Sequence, residues 1–262
     1  MIQVIERFHR LISHVAVEPE RTCSLSELAK IIGVSLPACS NIVRTMVHLG
    51  YLQSLGERKG YILGPTAYFL TRNGPYRKHL TNVADPLMTA LAEKTREMIV
   101  LVAECNGKRV ELLRFEGDSL VQIREPVINE RTDLFWTSTG MVILSHMDEE
   151  RVKALWDRRS DSANIAGAGS FKQFLDKCCE VRRKDCFIKE IDNRHDPLNE
   201  SVTLAFPIFE NGKVCASLGS RIPAFRFTGK HREAVISGCR TTAERIGRNL
   251  SKTGNKITAD GV

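Results

Sequence analysis

Apolar residues recur at helical spacing from the start of the chain. Val4, Phe8, Leu11, Ile12 and Val15 form one stripe and predict an amphipathic helix over residues 2–14. After a polar connection containing Pro19, Leu25, Leu28, Ile31 and Ile32 share a face of a second helix. Ser24 or Ser26 can cap it, and Glu27 follows Ser24 at capping-box spacing. Gly33 suits the left-handed end of that helix. Ser35 then reads as the N-cap of a third helix with Pro37 in its first turn. The buried side of this helix is predicted to hold Cys39, Ile42, Val43, Met46 and Leu49, and its other side carries Pro37, Ala38, Ser40, Asn41, Arg44 and Thr45. The period then shortens to two. Residues 50–55 and 61–63 read as strands around a turn with glycine at both ends and Arg58 and Lys59 at its tip.

Gly64-Pro65 and Asn73-Gly74-Pro75 bracket a short predicted helix over residues 66–72. It reads either as a semi-rigid coupler or as a passive linker. The expected organisation is a domain over residues 1–65, a linker helix over 66–76, a second domain over 77–252 and a disordered tail over 253–262. The second domain opens with a helix over 78–96, in which Pro86 predicts a kink or a break. Strands over 98–105 and 108–115 flank Asn106-Gly107, a strong hairpin signal, and 120–126 gives a third strand. Helices are predicted over 138–146, 149–156 and 171–184, with a flexible loop over 161–170. A strand over 187–191 and a turn-rich loop over 192–199 lead to a second hairpin, 201–209 and 214–221 around Asn211-Gly212. The last helix spans 228–250. Strands with helices packed on them describe an α+β domain, mixed but mostly antiparallel.

Two tight helices joined at a glycine, followed at once by a basic hairpin, form a winged helix-turn-helix. The third helix has the small, polar face that entry into a DNA major groove requires. The alternative is an ordinary helical hairpin with a wet outer face. On the DNA-binding reading, Ser35, Pro37, Ala38, Ser40, Asn41, Arg44 and Thr45 face the bases, and Arg58 and Lys59 meet phosphate or the minor groove.

Composition narrows the field without deciding it. The formal charge is +7, and residues 1–75 hold eight Lys/Arg against five Asp/Glu, so recognition depends on where the cations sit. The eight cysteines include no CxxC pair and lie mostly in apolar segments, which predicts reduced thiols in a cytoplasmic protein. There is no signal-peptide pattern, and no apolar run reaches bilayer length. No GxSxG, HExxH, P-loop or GxGxxG appears, so no catalytic residue, cofactor or metal is assigned.

Ser201, Thr203 and Ala205 alternate with larger residues on one strand of the second hairpin, as Cys215, Ser217 and Gly219 do on the other. A face of small and hydroxyl groups leaves room for a ligand. It also suits close approach by a helix. Trp136, Thr137 and Asp192 are placed to complete a pocket from facing loops. Asp192, His195 and Asp196 cluster in a turn-rich loop where a cation is conceivable but a solvated turn is the simpler reading.

The chain resembles the IclR family of bacterial transcriptional regulators over about residues 2–250. The likeness rests on LSELAKIIGVS, HLGYLQS and GYILGP in the first half. In the second it rests on TSTGMVILS, CCEVRRKDCFIKEID and SVTLAFPIFENGKVCASLGSRI. The resemblance implies a winged helix joined to an effector-binding domain related to GAF domains. It implies an operator in double-stranded DNA and a small organic effector, commonly a carboxylate or an aromatic. It also implies assembly as a homodimer or a dimer of dimers. This chain departs from the family's usual wording at Leu36 and Asn41, where basic residues are common, and at Thr203, where a cysteine is common. It departs again at Glu200, for glycine, and at Trp136, for a small residue. The rival readings are a metabolite-converting enzyme and a metal or redox sensor using Cys215, Cys186 or His195.

Overall fold

The computed structural model describes residues 2–56, 59–71, 74, 76–118, 133–159, 165–191 and 200–257. The chain forms two compact units, residues 1–75 and 76–262.

In the first unit, α1 (Gln3–Val17), α2 (Leu25–Ile32) and α3 (Leu36–His48) pack around Leu11, Val15, Leu28, Ile32, Cys39, Val43 and Met46. α2 begins where Ser24 Oγ accepts from the Glu27 amide at 3.2 Å. Glu27 does not return the capping-box bond, because its carboxylate is engaged by Arg21 at 2.8 Å and His14 at 3.0 Å. α2 ends on Gly33, at φ 66°. α3 has Ser35 in the N-cap position, but the hydroxyl makes no cap bond, so Pro37 and the backbone set this start. Leu49, expected on the buried side, is exposed because α3 stops at His48 and Leu49 is its C-cap. The strands β1 (Leu52–Ser54) and β2 (Tyr61–Leu63) form the two-stranded wing. Cys23 bridges it to the helices by two backbone bonds with Tyr61, each 2.9 Å. α4 (Pro65–Phe69) follows. Its Thr66 hydroxyl donates to the Leu49 carbonyl at 2.9 Å.

The Glu27 network gives a pH prediction. Its carboxyl is held below the usual range, first by the Arg21 hydrogen bond and then by His14, with burial opposing. A depressed carboxyl contributes stability that is complete above its unfolded value, about 4.3. That stability is lost as pH falls through the folded value. The melting temperature should therefore fall less between pH 6 and pH 3 in Glu27→Gln than in the unchanged protein. Equal slopes in the two melting series would contradict this.

The second unit is built on a five-stranded sheet. Its strands are β3 (Ile99–Cys105), β4 (Lys108–Phe115), β5 (Phe187–Ile191), β6 (Ser201–Glu210) and β7 (Lys213–Pro223), in the order β4-β3-β7-β6-β5 with each pair antiparallel. Both hairpin turns fold as their Asn-Gly pairs require, with positive φ at Asn106, Gly107, Asn211 and Gly212. α5 (Lys78–Thr95) and α9 (Gly229–Ile257) cover one face through Leu80, Met88, Leu91, Val235, Cys239 and Ile246. α6 (Ser138–Ser145), α7 (Glu149–Arg158) and α8 (Phe171–Lys184) cover the other through Met141, Leu144, Val152, Trp156 and Phe174. α5 runs unbroken through Pro86, which is exposed. α9 continues to Ile257, so residues 253–257 of the expected disordered tail are helical. The expected strand over 120–126 and the residues Asp192, His195 and Asp196 lie outside the described residues. Among the described residues, no helix is long and apolar enough to cross a membrane.

Candidate DNA interface and effector pocket

Burying Cys39, Val43 and Met46 turns the opposite side of α3 outward. Ser35, Leu36, Pro37, Asn41, Arg44 and Thr45 are exposed there, and Ala38 and Ser40 are half-buried. The exposed polar groups are partly pre-engaged. Arg44 Nη2 donates to Asn41 Oδ1, and the Thr45 hydroxyl donates to the Asn41 carbonyl at 3.0 Å. Arg44 thus already occupies one of the two acceptor sites on Asn41 Oδ1. Leu36, outside the expected contact set, is 48% exposed at the first turn. Lys59 is exposed in the wing turn, and Arg58 lies outside the described residues.

On the sheet, the small face of β6 and β7 is covered among the described residues. Ser201, Thr203, Ala205 and Ser217 are all buried. A Cβ added at Gly219 would lie 2.4 Å from Thr139 Cγ2, so α6 rides directly on this face. The helix-approach alternative accounts for the small residues. Cys215 departs from the group altogether. The ladder shifts register between Ile208 and Phe209, and Cys215 packs with the α5/α9 core while Ala205 packs on the α6 side. The extra residue of a bulge moves the alternation by one, which strict counting misses.

Polar groups do converge at the start of α6. Thr137 Oγ1 caps the helix, accepting from the Gly140 amide at 3.0 Å, and lies 3.3 Å from Thr139 Oγ1. Buried Arg109 donates from Nε to Thr139 Oγ1 at 3.3 Å and from Nη2 to Glu111 at 3.3 Å, and Glu111 also holds Arg114. Arg221, opposite Thr203 in register, donates to Ser201 Oγ at 2.9 Å. Neither arginine was in the expected site. The available signal was Arg109 and Glu111 two apart on one strand, which puts two charges on a face that must be covered. Trp136 is 44% exposed beside Thr137, and Asp192 lies outside the described residues.

Ser217 Oγ is buried and has no hydrogen-bond partner among the described residues. Removing an unsatisfied buried hydroxyl relieves a desolvation cost of about 1–3 kcal/mol. Ser217→Ala should therefore raise the melting temperature or leave it unchanged. A clear fall on thermal denaturation would show that the hydroxyl is paired.

Three of the thiols do not favour redox or metal chemistry. Burial pushes both Cys178 and Cys215 up to about 11 and Cys239 up to about 12, so they stay protonated at neutral pH. Among the described residues, one group could hold a metal ion: His14, Cys23 and Glu27, whose ligand atoms lie within 4.8 Å of one another. Arg21 already occupies the Glu27 carboxylate and stands 3.6 Å from the Cys23 sulfur, so a guanidinium fills the position a cation would take.

Residues 76–248 match the family model described as bacterial transcriptional regulator IclR C-terminal, and residues 4–56 match the IclR helix-turn-helix domain. The chain belongs to the IclR family. It is therefore a transcriptional regulator by family, and that family consists of transcription factors rather than enzymes. The HTH-type transcriptional regulator KdgR of Escherichia coli K12 is 25% identical over 241 residues, covering 90% of this chain and 88% of that protein. KdgR of Dickeya chrysanthemi is 26% identical over 234 residues, covering 88% of this chain and 75% of that protein. Among solved structures, an IclR homologue from Microbacterium hydrocarbonoxydans complexed with 4-hydroxybenzoate aligns with a TM-score of 0.69. It is 19% identical and covers 92% of this chain and 98% of its own. The Thermotoga maritima IclR aligns with a TM-score of 0.67 at 18% identity, covering 94% and 97%. The likeness to these structures concerns the fold.

Proposed function

We propose that this IclR-family regulator binds a specific DNA operator through α3 and releases or engages it in response to a small organic effector held by the second unit. The observation that carries the reading is the outward face of α3: exposed, and bearing Asn41 and Arg44 one turn apart. Asn41 pairs with adenine through its carboxamide once Arg44 turns to a phosphate or guanine. Leu36 meets a thymine methyl, and Lys59 and Arg58 of the wing supply charge against the backbone. Two copies related by two-fold symmetry place their α3 helices in successive major grooves, about one helical turn apart.

The effector is a carboxylate or an aromatic acid. Support comes from the start of α6, where Thr137, Thr139 and Arg109 gather donors, and from Arg221 on the same sheet face. The 4-hydroxybenzoate bound by the Microbacterium homologue is a carboxylate of this kind. Binding must favour one arrangement of the protein over another for DNA affinity to change. Selection from random duplexes tests the first part, with enrichment of an inverted repeat as the expected result and no enriched motif as the refuting one. A panel of carboxylates scored by melting shift and then by operator release tests the second.

A further inference from the structure

A cavity lies at the β6–β7 hairpin end of the sheet, where Phe209 and Asp185 both meet His146 at the C-terminal end of α6. It occupies ≈ 590 Å³ between the β6–β7 hairpin and the C-terminal half of α9. Phe206, Pro207 and Phe209 form an apolar floor on the strand side. Arg240, Glu244, Arg248 and Lys252 recur every four residues along α9 and form the facing wall. Arg240 is half-buried, with its guanidinium 5.2 Å from the centre of the Phe206 ring. Arg248 and Lys252 are exposed and form no ion pair among the described residues, although Glu244 stands one turn from Arg248. Asp185 closes the end.

We propose that this cavity is a second ligand site for an amphipathic monoanion, one carboxylate on an aromatic or aliphatic body. Three cations face two carboxylates in the lining, so the wall carries one surplus positive charge. That matches a monoanion better than a neutral molecule or a dianion. The volume is that of a small-molecule site, and an apolar floor with a few directed polar groups is the usual pattern of one. The ligand's body lies over Phe209 and Pro207, and its carboxylate meets Arg248 and Lys252. The site is distinct from the one at the start of α6, because its lining includes none of Thr137, Thr139, Arg109 or Arg221.

The test is calorimetric titration of the full chain with 4-phenylbutyrate, with 4-phenylbutanamide as the neutral control. Saturable binding of the acid is expected. Hydrogen bonds to charged groups contribute enough that Arg248→Ala/Lys252→Ala should weaken it at least about tenfold. The amide should bind no better to the unchanged protein than the acid does to the variant. Both substituted side chains are exposed, so the variant should fold, and circular dichroism checks that it does. The proposal fails if the acid gives no saturable heat, if the variant binds it equally well, or if the amide binds as tightly as the acid. It also fails if the double substitution instead dissociates an oligomer, which would make the groove an interface between copies.

Discussion

Gly140→Ala lowers the melting temperature of the second unit by roughly 6–12 °C, although the change puts alanine into a helix. Helix propensity alone predicts the opposite, since alanine is better than glycine in a helix by about 1 kcal/mol. The cost comes from outside the helix. A Cβ at this position would sit 2.0 Å from the Leu134 carbonyl oxygen and 2.7 Å from the Leu134 carbonyl carbon. Those are backbone atoms of the turn Leu134–Trp136, so no side-chain rotation can relieve the contact. Either α6 or the turn must move, and both are packed into the core around Met141, Phe135 and Phe174. Overpacking of this kind costs about 3 kcal/mol at the upper end, and for a unit of this size each kcal/mol shifts the midpoint by about 2–4 °C. Gly169→Ala is the control, because its added Cβ would meet only Gln173 Oε1 at 3.4 Å. A thermal melt in which Gly140→Ala is unchanged or more stable would show that α6 does not seat as described.

The second large effect concerns DNA. Asn41→Ala/Arg44→Ala should reduce operator affinity about a hundredfold while leaving the fold intact, since both side chains are exposed. A good bidentate base contact provides about 1–3 kcal/mol of discrimination. A lost phosphate contact should also lower the salt slope of log K by about one. The two single variants should not add. Asn41 and Arg44 are hydrogen-bonded in the free protein, so removing either one releases the other from that pairing. A gel-shift titration over salt concentration measures all three quantities. Undiminished operator affinity in the double variant would remove α3 as the reading element.

Local chemistry made much of the fold legible. The left-handed glycine at Gly33 and the Asn-Gly turns each act within a few residues, so their outcome follows from the residues themselves. The stripe Cys39, Val43, Met46 was readable because one helix buries one face. What escaped depended on how separate segments meet. Leu49 looked like one more apolar position in the period, but the helix ends before it. Cys215 was assigned to the wrong face because one unpaired residue near the hairpin end reverses the alternation, and nothing in KVCASLG announces it. The small face of β6 and β7 was correctly seen as small. Only the position of α6 tells whether that smallness admits a ligand or a helix, and at Gly219 the space belongs to Thr139 of α6. Arg109 and Arg221 were missed because arginines on strands read as solvated edges until their partners Thr139 and Ser201 come into view.

Arg77 sits at the beginning of the second unit in a left-handed conformation, φ 56°, and its Nη1 donates to the Cys215 carbonyl at 2.7 Å. The acceptor belongs to the main chain, so no substitution at residue 215 can abolish it directly. The spacing of the β6–β7 loop fixes where that oxygen lies, and inserting or deleting one residue there would carry it out of the guanidinium's reach. Drift in composition around the hairpin is thus tolerated at this anchor, whereas drift in length is not.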